Sequence, residues 1–241
     1  MQSSKGAQEM ASAASGFDAS VVCRQALSRI SALQFRGGRR VIGLAGLPGS
    51  GKSTFCRLLG DIAASEFPGK IQVVGMDGSH CSLSELADFP EPRKALERRG
   101  APWTFNSKSV AEKISRFRTS SDVDLYWPDF DHARGDPEED AISICAGIDL
   151  LLVEGLYMLY PGHGFQDVVT LLDEKWFLDV PYEESMRRLV LRHQQAWGIS
   201  EDEAKKRVAA NDAHNAQIVL GTKALADWVI DWNEPVNELA C

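Results

Sequence analysis

The 241-residue chain has no apolar run near the roughly 20 residues a membrane helix needs, no surplus of basic charge, and no paired cysteine spacing. Each absence removes a class of function. No membrane span is expected, and the first twenty residues lack the basic start and continuous apolar stretch of a secretion signal. With 26 Lys and Arg against 34 Asp and Glu the formal charge is −8, so no broad footprint for nucleic acid or an anionic membrane is expected. A local basic pocket could still hold a phosphate. The five cysteines, Cys23, Cys56, Cys81, Cys145 and Cys241, show no C-x-x-C pattern. They read as reduced thiols in a cytoplasmic compartment, with neither disulfide nor zinc site. An organellar address stays open because "MQSSKGAQEMASAASG" is rich in Ser and Ala, although Glu9 is acidic and the first arginine is Arg24.

What is present suits a globular protein: 44% apolar and 25% charged residues. Residues 1–16 carry no apolar period and read as a flexible tail, leaving 17–241 as one domain. In "FDASVVCRQALSRISALQ", Val21, Val22, Ala26, Ile30 and Leu33 recur at helical spacing. The apolar runs "RRVIGLAG", "KIQVVGMD", "DLLLVEG" and "WFLDVP" each end in a turn or an acid, with helix-compatible segments between them. That alternation predicts an α/β fold, a parallel sheet with helices on both faces. After "WFLDVP" the chain is charged and helix-prone, with a capping box at Ser200 and Glu203; it reads as two or three helices before a last strand in "DWVIDW". Trp197, Trp228 and Trp232 are expected as packing anchors rather than as a base-stacking platform.

"GLPGSGKS", between a predicted strand and a predicted helix, fits G-x-x-x-x-G-K-[ST] without a gap. Gly46, Leu47, Pro48, Gly49, Ser50, Gly51, Lys52, Ser53 and Thr54 are therefore the expected nucleotide-binding residues. Glycines let backbone N–H groups turn inward around the β-phosphate, and the helix opening at Lys52 adds its positive end. Lys52 is expected to bridge the β- and γ-phosphates, and the Ser53 hydroxyl to ligate Mg²⁺. Asp77, in "MDGSH", and Glu154, in "LLLVEG", close two other predicted strands, where ligands of open parallel sheets collect. Two carboxylates beside a phosphate cradle can hold the metal or its water, and one can take a proton from an attacking hydroxyl. ATP and Mg²⁺ are the expected cofactors, with Ser53, Asp77 and Glu154 as metal ligands. In "RRLVLRHQQAWG", Arg188 and Arg192 stand one helical turn apart, as a lid over roughly 183–212 would need to neutralise a moving phosphoryl group.

"GLPGSGKST", "VVGMDGSH", "RRGAPWTFN", "WPDFDHARGDP" and "LLVEGLYML" resemble, in order and spacing, the P-loop kinases related to uridine kinase, phosphoribulokinase and bacterial-type pantothenate kinase. The resemblance spans about 40–220 and implies a P-loop NTPase fold with a helical lid. It implies Asp77 as catalytic base toward a hydroxyl of a small molecule, with Lys52, Arg188 and Arg192 on the phosphates and Glu154 on magnesium or substrate. His80, Arg99, Phe105, Asp131, Asn211 and Asn215 are the residues it places toward the acceptor. Ser79, Asn106 and His132 depart from the usual Phe, Asp and Arg, all on the acceptor side. A nucleotide hydrolase or regulatory module without a small acceptor is therefore the alternative. No partner beyond a small molecule is expected, save a homodimer at most. Acceptor identity and ATP against GTP are not legible at this level.

Overall fold

The computed structural model describes residues 17–34, 38–120 and 122–232. The expected N-terminal tail lies outside them. In chain order the helices are α1 (Ala19–Gln34), α2 (Lys52–Glu66), α3 (Leu83–Ala87), α4 (Pro92–Glu97), α5 (Ser107–Thr119), α6 (Phe165–Thr170), α7 (Tyr182–Trp197), α8 (Glu201–Arg207) and α9 (Ala213–Leu220). The strands are β1 (Arg40–Gly46), β2 (Ile71–Gly75), β3 (Leu125–Asp131), β4 (Asp136–Ile144), β5 (Leu150–Glu154), β6 (Glu174–Asp179) and β7 (Trp228–Asp231).

Five strands form one parallel sheet in the order β2-β5-β1-β6-β7. Its strands are continuous apolar runs because both faces are covered, and successive side chains alternate between those faces. Val41, Ala45, Leu151 and Val153 enter one core with Phe117 of α5 and Phe165 of α6. Ile42, Leu44, Leu150 and Leu152 enter the other with Ile30 of α1 and Phe55 of α2. Trp232 is fully buried in this second core, edge-on to Phe17 and Phe55, and Trp228 packs against it. Trp197 instead stands half exposed on the end of α7.

The hairpin β3–β4 forms a separate antiparallel pair that the parallel-sheet expectation does not contain. The helices after β6 are present, α8 begins on the expected Ser200–Glu203 capping box, and a π-turn over Val208–Asp212 joins α8 to α9. No described helix is long and apolar enough to cross a membrane.

Candidate active site

Sheet register brings three segments to one edge. Glu154, last in β5, pairs with Leu44 of β1 on one side and Gly75 of β2 on the other. Met76 N–H donates to Glu154 O at 2.8 Å, carrying β2 one residue further and delivering Asp77 to the same edge. Beyond β1 the chain turns through Leu47–Gly51 into α2. Gly49 has φ of +82°, and a methyl group there would lie 2.6 Å from Ser185 O of α7, so both conformation and space demand glycine.

Lys52 is almost wholly buried, and its Nζ donates to Gly46 O at 3.0 Å and Leu47 O at 3.1 Å. Ser53 Oγ donates to Glu154 Oε1 at 2.8 Å. Burial pushes the Glu154 carboxyl above its ordinary range, against the pull of Lys52. Burial likewise holds the Lys52 ammonium below its ordinary range, although Glu154 and Asp77 both attract it. Buried charges of this kind are compensated by partners of opposite sign, and polyphosphate with a cation supplies both signs at once. The Ser53 hydroxyl and Glu154 carboxylate are hard oxygen donors of the sort magnesium takes. No group of three or more His, Cys, Asp and Glu among the described residues could hold a metal unaided.

From α7, Arg188 Nε donates to Glu184 at 2.8 Å and an Arg188 amine reaches Ser50 O at 3.4 Å, pinning the helix on the phosphate loop. Arg192, one turn on, is exposed and close enough to lower the charging of Lys52. The two arginines thus differ: one is a strut on the loop, the other is exposed.

Asp77 is exposed at the start of a 3₁₀ turn, Asp77–Ser79. Gly78 in that turn lies so close to β3 that a methyl group would sit 2.2 Å from Pro128 O. His80 Nδ1 lies 2.8 Å from Asp77 O, and its ring packs 4.0 Å from Phe105 and 5.0 Å from Phe130. Burial lowers the imidazole's affinity for a second proton. Phe105 is core, packed also against Tyr157 and Phe165.

The remaining expected acceptor residues act mostly on the backbone. The Arg99 guanidinium donates to Cys81 O at 2.9 Å and Asp136 Oδ1 at 2.8 Å, and lies over Phe130. Asn211 Nδ2 donates to Arg99 O at 2.9 Å, and Asn215 is buried beside Gly100. The Asp131 carboxylate accepts from the N–H groups of Ala133 and Arg134, closing the β3–β4 turn. Asn106 caps α5 by accepting from Ser109 N–H at 3.0 Å, a task Asp does equally well.

The sequence profile of the "Phosphoribulokinase / Uridine kinase family" matches residues 41–237. The chain belongs to this family. It is similar to "Putative uridine kinase C227.14" of Schizosaccharomyces pombe, with 37% identity over 195 residues, 80% of this chain and 83% of that one. It is similar also to "ATP-dependent kinase-like protein notR'" of Aspergillus versicolor, 32% identical over 166 residues, 66% of this chain and 96% of that one. Among solved structures it resembles the "putative fructose transport system kinase" of Silicibacter sp. TM1040, with 30% identity, TM-score 0.76, and coverage of 88% of this chain and 98% of that one. The expected fold and family are thus found, and membership makes the chain an ATP-dependent P-loop kinase.

Sequence reasoning missed several members of the site. Trp127 Nε1–H donates to Gly75 O at 2.7 Å, tying the hairpin to the end of β2. Tyr157 O–H donates to Gly100 O at 2.7 Å, and Asp212 of the π-turn bonds His193 Nε2 at 2.9 Å. The one available signal was the alternation around Trp127 ahead of the Gly135–Asp136 turn.

Proposed function

We propose that this kinase moves the γ-phosphoryl group of magnesium-bound ATP to a hydroxyl of a small metabolite: a nucleoside, a sugar or a pantothenate-like acid. One observation supports this above the rest: a phosphate loop, a hydroxyl–carboxylate pair and a free-standing aspartate meet at one sheet edge, with Lys52 attracted by both acids. In this reading the acceptor oxygen bonds to the γ-phosphorus, the bond to the β–γ bridging oxygen breaks, ADP leaves, and the hydroxyl proton passes to the Asp77 carboxylate. Lys52 holds the β- and γ-phosphates, Arg192 the transferring group, and Arg188 the loop that cradles them.

Ser53, Glu154 and Asp77 would hold magnesium, which neutralises phosphate charge. His80 and Phe105 form the wall of the acceptor site. Arg99, Asn211, Asn215 and Asp131 shape the loops around it. The helices over 183–212 serve as the lid of a single domain, and the free thiols and acidic charge suit a cytoplasmic setting.

The test is Asp77→Asn, which should leave the affinity for metal-free ADP nearly intact and slow transfer at least about a hundredfold. Turnover that survives removes Asp77 as base. Labelled ATP incubated with pooled metabolites separates the readings further: a labelled metabolite supports transfer to an alcohol, whereas free phosphate alone supports a hydrolase.

A further inference from the structure

Asn211 and Asp212 are neighbours in the chain, yet they reach different parts of the molecule. Asp212 Oδ2 lies 2.9 Å from His193 Nε2 on α7, while Asn211 Nδ2 donates to Arg99 O, also at 2.9 Å. The Arg98 guanidinium adds a bond to Ala210 O at 3.4 Å. Ala210, Asn211 and Asp212 all belong to the π-turn Val208–Asp212. Such a turn holds one residue more than an α-helical turn, and each residue of a regular helix is rotated about 100° from the last. Without the extra residue, Asn211 and Asp212 would swing off these partners. Turns of this kind are rare inside helices and frequent at functional sites.

Both ends of the clasp are anchored. The His193 ring is buried and stacks on Trp197 at 4.6 Å, and the Arg207 guanidinium lies 3.9 Å over Trp197. A carboxylate only accepts, so His193 Nε2 carries the proton. Arg192, the residue before it, is exposed and close enough to Lys52 to oppose its charge. At the other end Arg99 donates to Cys81 O at 2.9 Å, just beyond the Asp77 turn, and Gly100 O accepts from Tyr157 O–H at 2.7 Å. The bonds His193–Asp212, Asn211–Arg99 and Arg99–Cys81 thus form a continuous line from the helix bearing Arg192 to the turn bearing Asp77.

We propose that Asp212 is a positioning residue for phosphoryl transfer: held by His193, the π-turn fixes Arg192 relative to the Asp77 turn, so that arginine and base address the same reacting centre. This rests on Arg192 and Asp77 having the roles proposed above. Asp212 touches no reactant; it acts through the clasp. The two groups it aligns sit on separate elements, and a misplacement of about 1 Å between such groups can cost a hundredfold in rate.

The probe is γ-labelled ATP with a panel of nucleosides, sugars and hydroxy acids, and a labelled product supplies the acceptor for single-turnover rates. Asp212→Ala should slow transfer about ten- to a hundredfold while the affinity for metal-free ADP is unchanged. Asp212→Asn, whose amide oxygen can still accept from Nε2–H, should recover most of that loss. His193→Phe, which keeps a ring on Trp197 and loses the bond, should behave like Asp212→Ala and stands in for it if that variant does not fold. Combination with Arg192→Ala gives a readout that mere destabilisation would not move. Arg192→Ala should slow transfer more than about tenfold in the wild type, but less than about twofold once the clasp is broken, because the arginine is then already out of place. Losses that multiply in the double variant overturn this inference and leave the proposed function standing, as does full turnover in either clasp variant. If Arg192→Ala alone spares transfer, the role given to Arg192 fails and this inference falls with it. A panel yielding only free phosphate overturns transfer to an alcohol, and the inference too.

Discussion

The two edges of the central sheet handle buried charge in opposite ways. At the amino edge Asp173 accepts from Val41 N–H and Arg40 at 2.8 Å each, and from Arg118 as well. Burial alone would raise its carboxyl, but the bonds from Arg118, Val41 and Arg40 outweigh that and hold it below the usual carboxylate range. At the carboxyl edge Glu154 is pushed up, and Lys52 satisfies itself on loop carbonyls. Around the same edge, among the described residues, Ser50 Oγ, Ser79 Oγ, Ser185 Oγ, Asn211 Oδ1, Asn215 Oδ1 and Trp232 Nε1 are buried without a partner. Native interiors satisfy most such groups, so a concentration of unsatisfied ones marks where structure is given up for ligands. At the amino edge the Asp173 charge is satisfied within the fold; at the carboxyl edge polar atoms are left unsatisfied around the phosphate loop.

The same chemical change made at both ends sharpens this contrast. Asp173→Asn removes a carboxylate from three donors, two of them arginines, and should cost ~2–4 kcal/mol in urea unfolding while the folded fraction keeps its turnover. Asp77→Asn, on an exposed side chain, should stay within ~0.5 kcal/mol of wild type despite its loss of transfer. Equal destabilisation by the two would break the distinction between the edges. Acid adds a smaller effect of defined sign. The folded pKa of Asp173 is depressed, so its contribution is complete above the unfolded value near pH ~4 and is lost as pH falls through the folded value. Below about pH 4 the wild type should therefore lose stability faster than Asp173→Asn, as urea midpoints at successive pH values would report.

The legible parts of this molecule are those whose cause is local. Gly46–Ser53 is a contiguous device, and strands buried on both faces announce themselves as apolar runs. The hairpin escaped because "DPEEDAISI" presents its acids to solvent along β4 and carries almost no apolar signal. The π-turn escaped for a different reason. Whether Val208–Asp212 winds with one extra residue depends on Asp212 reaching His193 and Asn211 reaching Arg99 O, partners 19 and 112 positions away. Arg99 is placed toward the acceptor by resemblance alone, because its bonds to Cys81 O and Asp136, 18 and 37 positions away, are not visible in sequence.

Arg188 and Arg192 of α7 carry the contrast between saturated and open charge down to one helix. Arg188 is 15% exposed in its side chain and paired with Glu184, whereas Arg192 is exposed. Arg188→Ala removes a part-buried ion pair and the reach to Ser50 O, so it should cost ~1 kcal/mol and weaken ADP binding severalfold by loosening the loop. Arg192→Ala should leave both stability and ADP affinity unchanged, yet slow the transfer step by more than about tenfold, because its charge matters only when the γ-phosphoryl group is in flight. Single-turnover rates beside ADP titrations separate the two. If Arg192→Ala weakens ADP and spares the transfer step, the open arginine serves the ground state, and proximity to Lys52 has been mistaken for a role in the reaction.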